Sequence, residues 1–158
     1  MEVIEKSDSK WIMSFPETIK IKYHYPDLKP ISQAHDGEWF DLRSAEDVEL
    51  KKGEFKLIDL GVSIALPEGY EAILAPRSST FKKYKIIQVN GVGIIDSLFR
   101  GEKDYWMMPV LAMEDTFIPK NDRICQFRII ETQPPCEIKV VDHMEDKDRG
   151  GHGSTGTK

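Results

Sequence analysis

VNGVGIIDSLFRGEKDYW, residues 89–106, holds two apolar runs joined by a charged segment that carries glycine. That is the pattern of a β-hairpin. Asp96 sits directly behind the apolar pair Ile94-Ile95, and the ring of Phe99 follows just before Arg100-Gly101. The acid is the unusual residue, because carboxylates are rarely buried without a partner or a task. A carboxylate held beside apolar side chains takes up a proton more readily and can serve as a general base. Asp is also a common turn residue, so Asp96 equally suits the start of an exposed turn. On the local pattern the two readings stand level.

Outward from this stretch the chain reads as short strands broken by turns. TIKIKYHY, from Thr18, alternates, with Ile19, Ile21, Tyr23 and Tyr25 on one face and Lys20, Lys22 and His24 on the other. That is a half-buried strand. Residues 55–66 are β-rich between Gly53 and Pro67-Glu68-Gly69, and residues 70–75 form a further strand stopped by Pro76. Residues 86–95, 106–112, 123–130 and 137–141 complete the set. The segment opened by Gly37 is charged and only weakly helical, and residues 1–17 lack clear periodicity. Many short strands without a helix of ten or more residues predict an all-β sandwich or barrel. The division expected is an N-terminal extension over 1–17, a β domain over 18–141 and a polar tail over 142–158.

Composition narrows the function. With 158 residues the chain makes one domain with a real core. Charged residues make up 31% and apolar ones 40%, ordinary proportions for a soluble protein. A net charge of −5 argues against direct nucleic-acid binding, which needs an excess of Lys and Arg. The longest apolar run, residues 106–113, is far too short for a membrane span. MEVIEKSDSK lacks the apolar region of a signal peptide. Cys125 and Cys136 form no CxxC pair and read as reduced thiols of a cytoplasmic protein.

Three further patches carry chemistry. In APRSST, residues 75–80, Arg77 could pair with a phosphate and Ser78 and Ser79 could donate to its oxygens. Alone, this reads better as a capped turn. In KNDRICQF, residues 120–127, Arg123 and Gln126 flank an apolar strand. A buried Gln needs a hydrogen-bond partner, though an edge strand with one polar residue is the simpler reading. The tail DHMEDKDRGGHGSTGTK is polar and glycine-rich, the composition of a flexible segment. It is no P-loop, because Thr157 and Lys158 stand in the wrong order and no helix follows. Its backbone N–H groups and hydroxyls could still meet phosphate oxygens once closed onto a scaffold.

In order, FDLRSAED, APRSST, GVGIIDSLFRGE, NDRICQF and RGGHGSTG resemble the five motifs of the trimeric dUTPase family, most nearly its Bacillus and phage members. Each motif is weak alone, and five in sequence are specific. The resemblance implies a jelly-roll β fold and a homotrimer with active sites at subunit interfaces. It implies hydrolysis of dUTP to dUMP and pyrophosphate, with Mg²⁺ held mainly by the triphosphate. Such an enzyme limits uracil incorporation into DNA and supplies dUMP for dTMP synthesis. Asp96 then matches the acid that activates water. Arg77, Ser78, Ser79 and Gln126 match phosphate ligands, with Ser79 where many members have glycine. Asn90 and the backbone of Gly93, Ile94 and Ile95 match the uracil-reading hairpin. Phe99 matches a ring beneath deoxyribose, usually tyrosine, that leaves no room for a 2′-hydroxyl. Asp41 matches an acid that reaches the metal through water. Arg149, His152, Gly153, Ser154 and Thr155 match the tail that closes over a neighbour's site. The fifth motif is shorter than usual, so the ring over uracil is either His152 or the pair Tyr105/Trp106. Two alternatives remain: a dUTP-responsive regulatory protein that binds a protein partner, and a dCTP deaminase, for which no matching acidic motif is found.

Overall fold

The structure, a computed structural model, describes residues 3–7, 10–14, 17–31 and 38–148. Its regular elements are strands except for one short helix. β1 (Val3–Ser7) and β2 (Lys10–Ser14) pair as an antiparallel hairpin with Val3 opposite Ser14. β3 (Lys20–Tyr23) pairs with β7 (Val62–Ala65), and β5 (Val48–Leu50) with β12 (Thr116–Ile118). A four-stranded sheet runs in the order β10 (Gly93–Ile95), β8 (Tyr70–Pro76), β13 (Arg123–Glu131), β4 (Phe40–Arg43). A three-stranded sheet runs β6 (Phe55–Asp59), β11 (Met107–Ala112), β9 (Ile86–Gln88). The helix α1 (Thr80–Tyr84) follows β8.

One hydrophobic core draws on both larger sheets. Leu42, Leu74 and Phe127 come from the four-stranded sheet, and Ile58, Met108 and Val110 from the three-stranded one. Phe127 meets Trp106 edge-on, with ring centroids 5.1 Å apart. Ile19, Ile21 and Tyr23 pack against this core as their alternation predicts. Tyr25 does not: it is exposed and donates to Asp59 Oδ2 at 2.7 Å.

Several sequence expectations are corrected. Residues 89–106 are not a hairpin. β9, β10 and β11 flank that stretch, and β10 pairs with β8 while β9 pairs with β11. The chain therefore leaves the three-stranded sheet at Gln88, joins the other at Gly93 and returns at Met107. The polar connection over residues 96–106 is long enough to cross from sheet to sheet. Residues 55–66 are two strands, because Gly61 turns the chain at φ +68°. The charged segment after Gly37 is extended, with Leu42, Val48 and Leu50 alternating into the core. Residues 1–17, aperiodic in sequence, include the hairpin β1–β2. Residues 137–141 form no strand, and Ile138 and Val140 are fully open to solvent.

The turn at Gly61 is tightly enclosed. A Cβ there would lie 2.7 Å from Leu28 Cδ2 and 2.9 Å from Ala45 Cβ. Gly61→Ala should cost about 2–4 kcal/mol, combining left-handed strain with overpacking. A urea unfolding midpoint will measure it. Asp122, in the turn before β13, accepts from Tyr84 Oη and from Lys83 Nζ, the latter at 2.9 Å. These bonds, Tyr84's first, hold its carboxyl below the ordinary value of 3.8. A depressed carboxylate contributes stability that is complete above its unfolded value and lost as pH falls through the folded one. Asp122→Asn should therefore weaken the chain near neutral pH and flatten its loss of stability below pH 3.8, as read by melting temperature across an acid series.

Candidate active site

Two clusters of the expected residues form, at different ends of β8. The first surrounds the crossing loop. Ile94, Ile95, Asp96, Phe99, Tyr105, Trp106 and Met107 line an open cavity of about 370 Å³. Asp96 is exposed at its edge rather than buried, which decides between the two level readings for the exposed turn. Its Oδ1 accepts the Leu98 N–H at 2.7 Å, and its carbonyl accepts the Phe99 N–H at 3.0 Å. The turn reading is met: one oxygen fixes the side chain, and no hydrogen bond engages Oδ2 among the described residues. The loop is pinned beyond the cavity. His24 Nε2 bonds Ser63 Oγ at 2.8 Å, Ser63 Oγ donates to the Glu102 carbonyl at 3.0 Å, and Lys22 pairs with the Glu102 carboxylate. His24 also packs against Tyr105, ring centroids 4.4 Å apart.

Asn90 lies at the far end of β10 from this cavity, in the turn before Gly93. Gly93 faces Leu74 across the sheet, and a Cβ on it would lie 3.0 Å from Leu74 Cβ. The missing side chain lets the two backbones close up.

The second cluster lies where β4, β13 and the end of β8 run side by side. Gln126 is in register with Asp41 on one side and Ala75 on the other. Asp41 Oδ1 accepts from Arg77 Nε at 2.8 Å and Oδ2 from Arg123 Nη1 at 2.9 Å. Gln126 Nε2 donates to the Pro76 carbonyl at 3.2 Å. A register shift between Arg123 and Cys125 marks a bulge, a device that re-aims side chains beside sites. Ser78 and Ser79 are exposed, and Ser79 caps α1 without a side-chain bond. Thr80 closes that turn instead, accepting from the Arg77 N–H and donating to the Ile124 carbonyl. The arrangement leaves two serine hydroxyls and an oriented guanidinium at one edge, a suitable seat for phosphate. Arg149, His152, Gly153, Ser154 and Thr155 lie outside the described residues.

The sequence model of the dUTPase family matches residues 29–157. The chain belongs to the dUTPase family. It is 53% identical over 140 residues to the SPbeta prophage-derived deoxyuridine 5′-triphosphate nucleotidohydrolase of Bacillus subtilis, covering 89% of this chain and 99% of that one. It is 36% identical to the deoxyuridine 5′-triphosphate nucleotidohydrolase of Mycolicibacterium gilvum, covering 83% and 90%. Among solved structures, the dUTPase of Staphylococcus bacteriophage 80alpha bound to dUPNHPP superimposes with a TM-score of 0.75 at 23% identity, covering 88% and 98%. The fold of this dUTPase is thus the jelly roll of its family, and it is an enzyme fold that the five motifs had implied.

Two residues of this dUTPase's site region escaped the sequence reading. Arg123 was seen only as flanking a strand, yet it completes the pair on Asp41. Gln88 sits in an apolar run just as Gln126 does, and the same question about its partner would have found it. The Asp41 carboxylate is largely buried and binds both arginines, which are 26% and 46% exposed. Asp41→Ala should cost about 1–3 kcal/mol, below the range for a fully buried pair because water screens the arginines. Urea denaturation will measure this, with Arg123→Ala expected to cost less.

Proposed function

We propose that this enzyme hydrolyses dUTP to dUMP and pyrophosphate, with Asp96 as general base. The geometry at Asp96 supports this. Its locked Oδ1 leaves Oδ2 to take a proton from the attacking water. That water's oxygen bonds to the α-phosphorus, the bond to the bridging oxygen breaks, and pyrophosphate leaves with the electron pair. Little covalent help is needed in such a transfer; positioning and charge neutralisation dominate. Arg77, Ser78, Ser79 and Gln126 hold the phosphates. Phe99 lies beneath the deoxyribose, where a 2′-hydroxyl would collide. Asn90 and the backbone of Gly93, Ile94 and Ile95 bind uracil. Arg149, His152, Gly153, Ser154 and Thr155 close over the site. The enzyme works in the cytoplasm, keeping uracil out of DNA and supplying dUMP for dTMP synthesis.

The residues suit a Mg²⁺ carried by the substrate. Among the described residues no group of three or more His, Cys, Asp or Glu could cage a metal. Asp41 spends one site on each oxygen for an arginine, and a carboxylate has about four, so it can still bond a metal-bound water. Bound on the phosphates, Mg²⁺ neutralises their charge. A phage phi11 dUTPase structure of S. aureus is described as revealing a structural Mg(II) ion.

One observation supports sites shared between copies, as in the proposed homotrimer. β10 meets β8 at Ala72, so Asp96 lies beside the start of β8, whereas Arg77 follows its end. Asp96 is level with Glu71, six residues before Arg77, so they are separated by roughly 20 Å along the strand at about 3.4 Å per residue. Arg77 also turns toward β4, away from β10. One chain cannot apply both residues to one phosphate, so a second copy supplies the missing half. The outer face of the three-stranded sheet suits that contact. Phe55, Leu57, Ile87 and Met107 are all exposed there, the first by 59%. Apolar patches of this kind mark interfaces. Ile138 and Val140 leave the body at 92% exposure each and need a neighbour's cover.

Asp96→Asn should lower turnover by about 10²–10⁴-fold with substrate binding retained. Pyrophosphate release and dUMP binding will check this; near-normal turnover would reject the assignment. Co-refolding Asp96→Asn with Arg77→Ala should regain activity, since roughly a quarter of sites in randomly mixed assemblies then receive both intact residues. No recovery would place both residues in one chain.

A further inference from the structure

We infer that Gln88 fixes the orientation of the Asn90 amide and, through it, the preference for uracil over cytosine. This rests on the uracil-reading role of Asn90 proposed above. Gln88 is buried, with 8% of its surface exposed. Its Nε2 donates to the Leu74 carbonyl at 3.2 Å and to Asn90 Oδ1 at 2.9 Å. Leu74 is held between Gly93 and Phe127 in the sheet, so its carbonyl cannot turn away. A carbonyl only accepts, so the end of Gln88 facing it must be the NH₂ group. The same NH₂ group reaches Asn90, whose near atom must then be its oxygen. Asn90 Nδ2 is left over as a donor, with no partner among the described residues.

Gly93 lies against this relay. A Cβ there would lie 3.5 Å from Gln88 Nε2. The Gln88 amide therefore sits directly under the backbone that lies along the base. The arrangement also carries a cost. Gln88 Oε1 is buried without a partner, and an unpaired buried acceptor is destabilising. A methionine of similar length would avoid that cost. What glutamine adds over methionine is Nε2, the atom that orients Asn90.

The consequence for selectivity follows from the bases. Uracil carries an oxygen at C4 where cytosine carries an amine. A free asparagine turns either end toward its ligand and accepts both. With its oxygen held by Gln88, Asn90 offers only N–H. It pairs with the uracil O4 and meets the cytosine amine donor to donor. Gln88 is thus a positioning residue that touches no substrate atom.

The test compares kcat/KM for dUTP and dCTP in the intact protein. Gln88→Met should lower the dUTP-to-dCTP ratio by at least about tenfold, because the unpaired donor no longer rejects cytosine. Its melting temperature should stay level or rise. Asn90→Ala should lower the ratio too, and the double variant should match Asn90→Ala alone. An unchanged ratio in folded Gln88→Met, or effects that add, would overturn the inference. Should Gln88→Met fail to fold, a wild-type crystal with dUMP at better than about 1.2 Å, where amide hydrogens become visible, decides the matter. Asn90 N–H pointing at O4 supports the relay, and Oδ1 at that position rejects it. A wild type inert toward dUTP would reject the hydrolase reading instead, while the dUMP crystal would still decide the amide's orientation.

Discussion

A chain that passes from one sheet to the other must find partners for its polar backbone where it leaves one buried sheet and enters the next. Residues 88–107 make that passage twice. Val89 N–H finds the Pro109 carbonyl at 3.1 Å, Trp106 N–H finds Val62 at 2.9 Å, and the Trp106 carbonyl accepts from Leu60 at 3.1 Å. Unpaired, each buried group would cost about 1–3 kcal/mol. Satisfying them fixes where the crossing begins and ends. The cavity beside Asp96 lies next to that crossing, with Asp96 and Phe99 on the crossing loop itself.

Much of the fold is legible in the sequence for a simple reason. Alternation such as Ile19-Ile21-Tyr23 reports burial on one face, and the chain folds by burying those faces. The errors share a cause as well. An apolar run such as residues 55–66 looks continuous because residues 60–64, around the turn, are all buried, so only Gly61 betrays the reversal. Sheet membership is a long-range property, and nothing local in VNGVGIID says that its two ends pair with different neighbours. The exposed Ile138 and Val140 show the opposite case. Their alternation looks strand-like, yet residues 137–141 pair with no strand among the described residues.

The motifs single out the residues proposed for the site and say nothing of their geometry. Asp41, Arg77, Gln126 and Asp96 all stand at positions that the motifs single out. Their division into two clusters was not readable, because it follows from register: Ile95 opposite Ala72, and Gln126 between Asp41 and Ala75. Nor was the exposure of Asp96, whose apolar neighbours Ile94 and Ile95 are themselves exposed and half-buried, respectively.

The bracket of Asp41 between Arg77 and Arg123 also has an entropic side. A free arginine side chain samples many rotamers, and binding an anion freezes them at a cost of about 2 kcal/mol in the extreme. Arg77 is already frozen by the sheet-borne carboxylate before any ligand arrives. An anion bound there, as proposed, would meet a guanidinium already ordered by folding and keep more of the attraction it makes.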